Sequence, residues 1–316
     1  MTHVPVRYRS DEEDSARWIG FPFRPDDVVI STRSKTGTTW VQMICALLVF
    51  QTPDLPSPLS SLSPWLDRLT VPRTEVYAQL EAQGHRRFIK THTPLDGLPA
   101  DRRVTYLVTA RHPLDMAVSL YHQGENLNRD RIAQLLGQPR QEASPNPRPP
   151  LHEWLRTWIE ADLDPRSHLD SLPGVLWHLG DAWQRQDQPN VVLIHYDWLS
   201  TDLEAAMVYL ACRLGIDVPD EMWPDLVRAA TFESMRADAN RLVPDTSGIL
   251  TSPAAFFRQG TSGGGVEVLT PAEVQRYWDR AAQLAPADLL AWLHDDPGPE
   301  GGRLEPGPRA SYDRSA

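Results

Sequence analysis

Short apolar runs and stretches of helical spacing alternate along most of this chain. Residues 28–30, 87–90, 104–109 and 191–195 are short, rich in aliphatic and β-branched side chains, and read as strands. Residues 38–50, 113–121 and 203–214 place their apolar positions three and four apart and read as helices. Val41, Ile44, Cys45 and Leu48 set the pattern in the first of these. The alternation predicts an α/β fold, a single domain with a central parallel β-sheet flanked by helices. Ligands of such sheets bind beyond the carboxyl ends of the strands. Lys35 follows the first strand, Lys90 and His92 close the second, Arg111 follows the third and Tyr196 the fourth. Four strand ends therefore bring chemically competent side chains to one edge.

Less regular stretches lie between these elements. Pro139, Pro145, Pro147, Pro149 and Pro150 interrupt a polar stretch over 124–150, which predicts an excursion from the core. Residues 151–163 follow with Leu151, Trp154, Leu155, Trp158 and Ile159 on one helical face. That face either packs on the core or walls a binding pocket; the spacing favours the core. Thr270-Pro271-Ala272-Glu273 is a capping box with proline at the first helical position, and its helix continues through Leu284. Residues 1–296 are expected to form the domain, and the Gly- and Pro-rich residues 297–316 a disordered tail.

Composition narrows the partners. The 316 residues carry a net charge of −11, so a nucleic acid or an anionic membrane is not the expected partner. An anion-binding site on this chain must be a small basic pocket on an acidic body. The two cysteines, Cys45 and Cys212, are too far apart to suggest a disulfide framework or a metal motif, and the histidines show no ligand spacing; no metal is expected. The run over 41–50 is too short to span a bilayer and contains Gln42, so no integral membrane segment is expected. The N-terminus is polar, with Asp11, Glu12, Glu13 and Asp14, and a cytoplasmic location is expected.

The strongest local signal is Ser31-Thr32-Arg33-Ser34-Lys35-Thr36-Gly37-Thr38-Thr39-Trp40. A strand runs into a turn with a lysine and a glycine, and a helix follows. Backbone N–H groups and the positive helix end point at one place, and Lys35 adds a full charge there. The usual nucleotide loop has glycine before lysine; here the order is reversed. The segment resembles the phosphosulfate-binding loop of PAPS-dependent sulfotransferases, Thr-Tyr-Pro-Lys-Ser-Gly-Thr-Thr-Trp, at Thr32, Lys35, Gly37, Thr38, Thr39 and Trp40. PAPS is phosphoadenosine phosphosulfate.

Further segments extend the resemblance to that family. Lys90-Thr91-His92-Thr93-Pro94 resembles its Lys-Thr-His-x-x-Pro region, whose histidine is the general base. Arg111-His112-Pro113-Leu114-Asp115, continued to Ser119, resembles Arg-Asn-Pro-x-Asp-x-x-x-Ser, whose Arg and Ser hold the 3′-phosphate. Phe256-Phe257-Arg258-Gln259-Gly260 resembles an Arg-Lys-Gly clamp on the same phosphate, with Gln259 in place of lysine. Gly263-Gly264-Gly265 then replaces the family's Gly-Asp-Trp, and the glycine run predicts an unusually mobile loop. Tyr196-Asp197 resembles a Tyr-Glu pair facing the adenine, and Thr231-Phe232-Glu233-Ser234-Met235 resembles a Ser-Phe-x-x-Met segment bordering the nucleotide. Ser63-Pro64-Trp65-Leu66-Asp67, the stretch from His85 to Asp96 and Pro189-Asn190-Val191 are similar to actinobacterial, especially mycobacterial, glycolipid sulfotransferases.

The resemblance implies in-line transfer of a sulfuryl group from PAPS to a hydroxyl of a hydrophobic acceptor: a glycolipid, a lipid-like alcohol or a phenol. His92 would be the base, with Lys35, Lys90 and Ser119 completing the catalytic set. Lys35, Thr36, Gly37, Thr38 and Thr39 would hold the 5′-phosphate, and Trp40 would stack on adenine. Arg111, Ser119 and Arg258 would hold the 3′-phosphate. Tyr196, Thr231, Phe232, Met235, Phe256, Phe257, Gln259 and Gly260 would complete the cofactor site. The acceptor pocket would draw on 53–85 and 124–175, the latter as a lid. The alternatives are a PAP-binding protein without transfer activity and an ATP-dependent P-loop phosphotransferase. The family's dimer segment, Lys-x-x-x-Thr-Val-x-x-x-Glu, survives here only as Val266, Thr270-Pro271 and Gln275, so a dimer through it is not expected.

Overall fold

The computed structural model describes residues 4–139, 148–243 and 247–294. Four parallel strands form the sheet: β1 (Val28–Thr32), β2 (Phe88–Thr91), β3 (Thr105–Ala110) and β4 (Val191–His195), in the order β2-β1-β3-β4. Ile30 pairs with Lys90 on one side of β1 and with Leu107 on the other. The anticipated strands are present, each shifted by no more than two residues at an end.

Alternation along the strands splits the core into two layers. Val29, Ile89, Tyr106 and Val108 face one cluster with the helices Pro113–Glu125, Leu151–Glu160, Leu172–Trp183 and Pro271–Leu284. Val28, Ile30, Phe88, Leu107, Val192 and Ile194 face the other, with α1 (Thr38–Phe50) and the helices Leu203–Leu214 and Trp223–Ala230. Both faces are thus covered, which is why β1 is buried along its whole length. Among the described residues, no helix is long and apolar enough to cross a membrane.

Thr270 and Glu273 form the expected capping box on Pro271–Leu284. Two expectations change in extent. The stretch 124–150 is not all excursion: it contains the helix Arg129–Leu135, which buries Ile132 and Ala133. Residues 140–147 of it, and the tail expected over 297–316, lie outside the described residues. The helix predicted over 151–163 ends at Glu160 and faces the core through Leu155, Trp158 and Ile159, with Trp154 packed beside them. Among the described residues it contributes no side chain to the cavity at the sheet's carboxyl edge. Instead, the Trp158 Nε1–H donates to the Asp170 carbonyl at 2.9 Å and anchors a segment that does line the site.

The glycine run over 263–265 is anchored. The N–H groups of Gly263 and Gly265 each donate to an Asp115 carboxylate oxygen at 2.7 Å. A Cβ on Gly265 would stand 2.5 Å from the Leu114 carbonyl carbon and 2.7 Å from the Asp115 nitrogen. Glycine at 265 allows backbone to close on backbone there. Gly265→Ala should destabilise the protein by about 1–3 kcal/mol, because the clash is with main chain that cannot rotate away. Gly264→Ala meets nothing within 4 Å and should stay within about 0.5 kcal/mol of the parent. Thermal denaturation of the two variants checks the contrast.

Candidate active site

The turn between β1 and α1 sets the site. Gly37 adopts φ 104° and caps α1, and Lys35 adopts φ 65°, uncommon for a residue with a Cβ. A Cβ on Gly37 would come within 3.0 Å of the Tyr196 ring, so both the turn and the close approach require glycine. The turn is locked from behind. The Thr36 hydroxyl donates to the Arg33 carbonyl at 2.8 Å and lies 3.0 Å from the Thr109 hydroxyl. The Thr38 and Thr32 hydroxyls meet at 2.6 Å.

A cavity of about 500 Å³ opens at the carboxyl edge of the sheet. Lys35, Gly37, Thr38, Thr39 and Trp40 line it from α1 and its turn. Lys90, His92, Arg111 and Ser119 line it from the ends of β2 and β3 and from the helix after β3. Tyr196, Phe232, Met235, Phe256, Phe257, Arg258, Gln259 and Gly260 close the far side. Thr36 and Thr231, expected in the site, stand outside this wall: Thr36 in the turn's own hydrogen bonds, Thr231 as the N-cap of Phe232–Ala237.

Cations gather on one side. Lys35 Nζ sits 3.9 Å from the Phe256 ring centroid and 3.4 Å from the Gln123 side-chain oxygen. Burial, with Arg111 and Arg258 nearby, pulls its pKa down to about 7. Arg111 lies over the Tyr196 ring at 4.1 Å and donates to the carbonyls of Lys35 and Thr261, at 3.2 and 2.8 Å. The Nε atoms of Arg111 and Arg258 are buried without a hydrogen-bond partner. Among the described residues, neither arginine nor Lys35 forms an ion pair closer than 4.0 Å. The Trp40 indole donates to the Ala230 carbonyl at 2.8 Å and meets the Tyr196 ring edge-on. The basic pocket on an acidic body is therefore present.

The other side is built round His92. Its Nδ1–H donates to the Thr32 carbonyl, which leaves Nε2 with its lone pair. Burial foremost, then Lys90 and Arg33, holds its pKa well below the usual value, so the ring is neutral. The Trp65 ring meets it edge-on at 4.5 Å. Lys90 Nζ lies 3.9 Å above the same indole, and burial brings its pKa down to about 7.

Several wall residues carry no local sequence signal. Arg33 is buried, donates to the His92 carbonyl and pairs with Asp170 at 2.7 Å. Glu13, Arg68, Gln123 and Asp170 also line the cavity, as do Leu120, Leu127, Leu169, Ile249 and Leu250. Only Arg33, a second cation within the turn, offered a hint in the sequence. Among the described residues, no group of three or more His, Cys, Asp or Glu side chains stands where it could hold a metal ion.

Comparison with known proteins agrees with this architecture. Residues 25–286 match the family model for the sulfotransferase domain. A glycolipid sulfotransferase of Mycobacterium bovis is 43% identical over 309 residues, covering 92% of this chain and 94% of the relative. The glycolipid sulfotransferase of Mycobacterium tuberculosis shows the same identity and coverage. Among solved structures, a mouse sulfotransferase complexed with PAP superposes with a TM-score of 0.64 at 20% identity, covering 89% of this chain and 93% of that one. The chain belongs to the sulfotransferase family and is a sulfuryl-transferring enzyme of the branch that holds the mycobacterial glycolipid sulfotransferases.

Proposed function

We propose that the protein transfers the sulfuryl group of PAPS to a hydroxyl of a hydrophobic acceptor, with His92 as the base. The observation that carries this reading is the convergence of Lys35, Arg111 and Arg258, without carboxylate partners among the described residues, at the N-terminus of α1 beside a neutral His92. Buried cations and orphaned guanidinium N–H groups fit a polyanion with two phosphate positions. PAPS supplies an activated sulfuryl group on a phosphate oxygen. The glycolipid-sulfating relatives and the apolar wall from Leu120, Leu127, Leu169, Ile249 and Leu250 support an acceptor with a lipid part.

Each residue then has one task. His92 Nε2 takes the proton from the acceptor hydroxyl as its oxygen bonds to sulfur. Lys35 stabilises the negative charge left on the 5′-phosphate oxygen when the old S–O bond breaks. Lys90 orients the sulfuryl oxygens. Backbone N–H groups over 37–39 and the Thr39 hydroxyl grip the 5′-phosphate. Arg111, Ser119 and Arg258 grip the 3′-phosphate, and Trp40 and Phe232 flank the adenine. Anionic ligand beside Lys90 and Arg33 offsets the repulsion that lowers the His92 pKa, so the ring becomes a better base in the loaded site.

Three outcomes test this. His92→Ala should lower transfer of label from radiolabelled PAPS into an organic-phase product by about 10²–10⁴-fold, with PAP affinity kept; full activity would remove the base. PAP affinity should be greatest near pH 7, where Lys35 is still partly charged and the phosphates of PAP are largely ionised. Above it, binding must recruit a proton onto Lys35, so affinity falls by up to about tenfold per pH unit. Calorimetry at pH 8 in buffers of different ionisation enthalpy reads that uptake. Gln259→Lys should tighten PAP binding by about fivefold, since an ionic hydrogen bond exceeds a neutral one by about 1 kcal/mol.

A further inference from the structure

The N-terminal segment carries a carboxyl group into the acceptor side of the cavity. Glu13 forms an isolated antiparallel bridge with Arg68, and the next residue, Asp14, donates its N–H to the Asp67 carbonyl at 3.0 Å. The backbone of Glu13 is thus pinned to the segment that carries Trp65. Its Oε2 is buried, makes no hydrogen bond and lies 4.0 Å from Arg33 Nη1. Arg33 Nη1 donates to the His92 carbonyl and Nη2 to Asp170, and its Nε is buried without a partner; none of its N–H groups is within hydrogen-bond distance of the Glu13 carboxyl. A second orphan lines the same cavity: the Trp65 Nε1–H is buried without a partner. Trp65 is the ring that meets His92 edge-on and carries Lys90 above it.

Arg33, Arg111 and Arg258 also leave a buried Nε unmatched on this cavity; an unmatched buried polar group costs about 1–3 kcal/mol, and the Glu13 and Trp65 orphans, on one bridged segment beside His92, mark a place built for a polar ligand group. The indole can only donate. A hydroxyl can accept from it and also bond the carboxyl, so a hydroxyl matches both orphans. The hydroxyl that loses its proton to His92 is already committed. We propose that Glu13 is a specificity-determining residue that binds a second hydroxyl of the acceptor, beside the one that is sulfated. The site then selects sugar-like polyols over monohydroxylic alcohols and phenols.

The inference rests on the transferase reading of the same pocket. The charge state of Glu13 is consistent with it. Burial pushes the carboxyl up to about 8 against the opposing pull of Arg33, so near neutral pH it mostly keeps its proton. A protonated carboxyl both donates and accepts, and it does not repel an anionic sulfuryl donor held near Lys90.

The test is equilibrium binding to the PAP complex of the full chain, which needs no turnover. A failure of sulfuryl transfer is therefore read separately. Hexyl β-D-glucopyranoside and 1-hexanol are titrated by calorimetry. The sugar should bind the parent protein at least about tenfold more tightly, the worth of one well-formed hydrogen bond. Glu13→Ala should remove most of that preference without weakening PAP or 1-hexanol, and Glu13→Gln, which still donates and accepts, should keep it. No preference in the parent protein overturns the proposal, and so does an equal loss of both ligands in Glu13→Ala. The parent comparison decides even if Glu13→Ala does not fold.

Discussion

One buried guanidinium ties the site together. Arg33 cannot shed its proton, so its burial in the turn after β1 forces partners to come to it. It reaches the carbonyl of His92 at the end of β2 and the carboxylate of Asp170 just before the helix Leu172–Trp183, with the Glu13 carboxyl close by. Two remote segments are thereby held in fixed relation to the turn between β1 and α1. Without those partners the charge would be left uncompensated in the interior, at a cost of about 3–5 kcal/mol. The same contacts that relieve that cost set the position of the proposed base.

Compensation is uneven across the cavity. Arg33 is paired. Lys35 and Lys90 rest on aromatic faces instead, over Phe256 and Trp65, and Arg111 lies over Tyr196. Ring quadrupoles and carbonyls offset part of the burial cost but not all of it, which is why both lysines fall to about 7. Stability is given up here to leave cations aimed at one volume before any ligand arrives. That preorganisation is what electrostatic catalysis needs, because little then has to reorient as charge develops. Lys90 stands at the junction: its ammonium is next to the indole that also meets His92, so the anion-binding half and the acceptor half share it.

Glycines let the two halves close. Gly37 lies against Tyr196, Gly260 against Phe232 and Gly265 against the start of the helix after β3, each at a distance no Cβ would permit without displacement. Asp115 takes two N–H groups from the glycine run, so the loop carrying Arg258 is fastened to the element that carries Ser119.

The amino-acid sequence by itself determined the alternating strands and helices and the strand ends that carry Lys35, Lys90, His92, Arg111 and Tyr196. It also determined the family, because these depend on short-range spacing: two residues per strand repeat, three to four per helix turn, lysine two before glycine. Only the tertiary structure decided the rest. The glycine run read locally as slack, and packing on Asp115 made it a fastening. Trp154 and Trp158 could have faced a pocket or the core by spacing alone, and packing set both against the core cluster. Glu13 and Asp170 have no local pattern to betray them, and Arg33 only its place in the cationic turn. They meet because chain closure brings three distant segments to one sheet edge, where a buried charge must find partners. Local spacing does not encode that requirement.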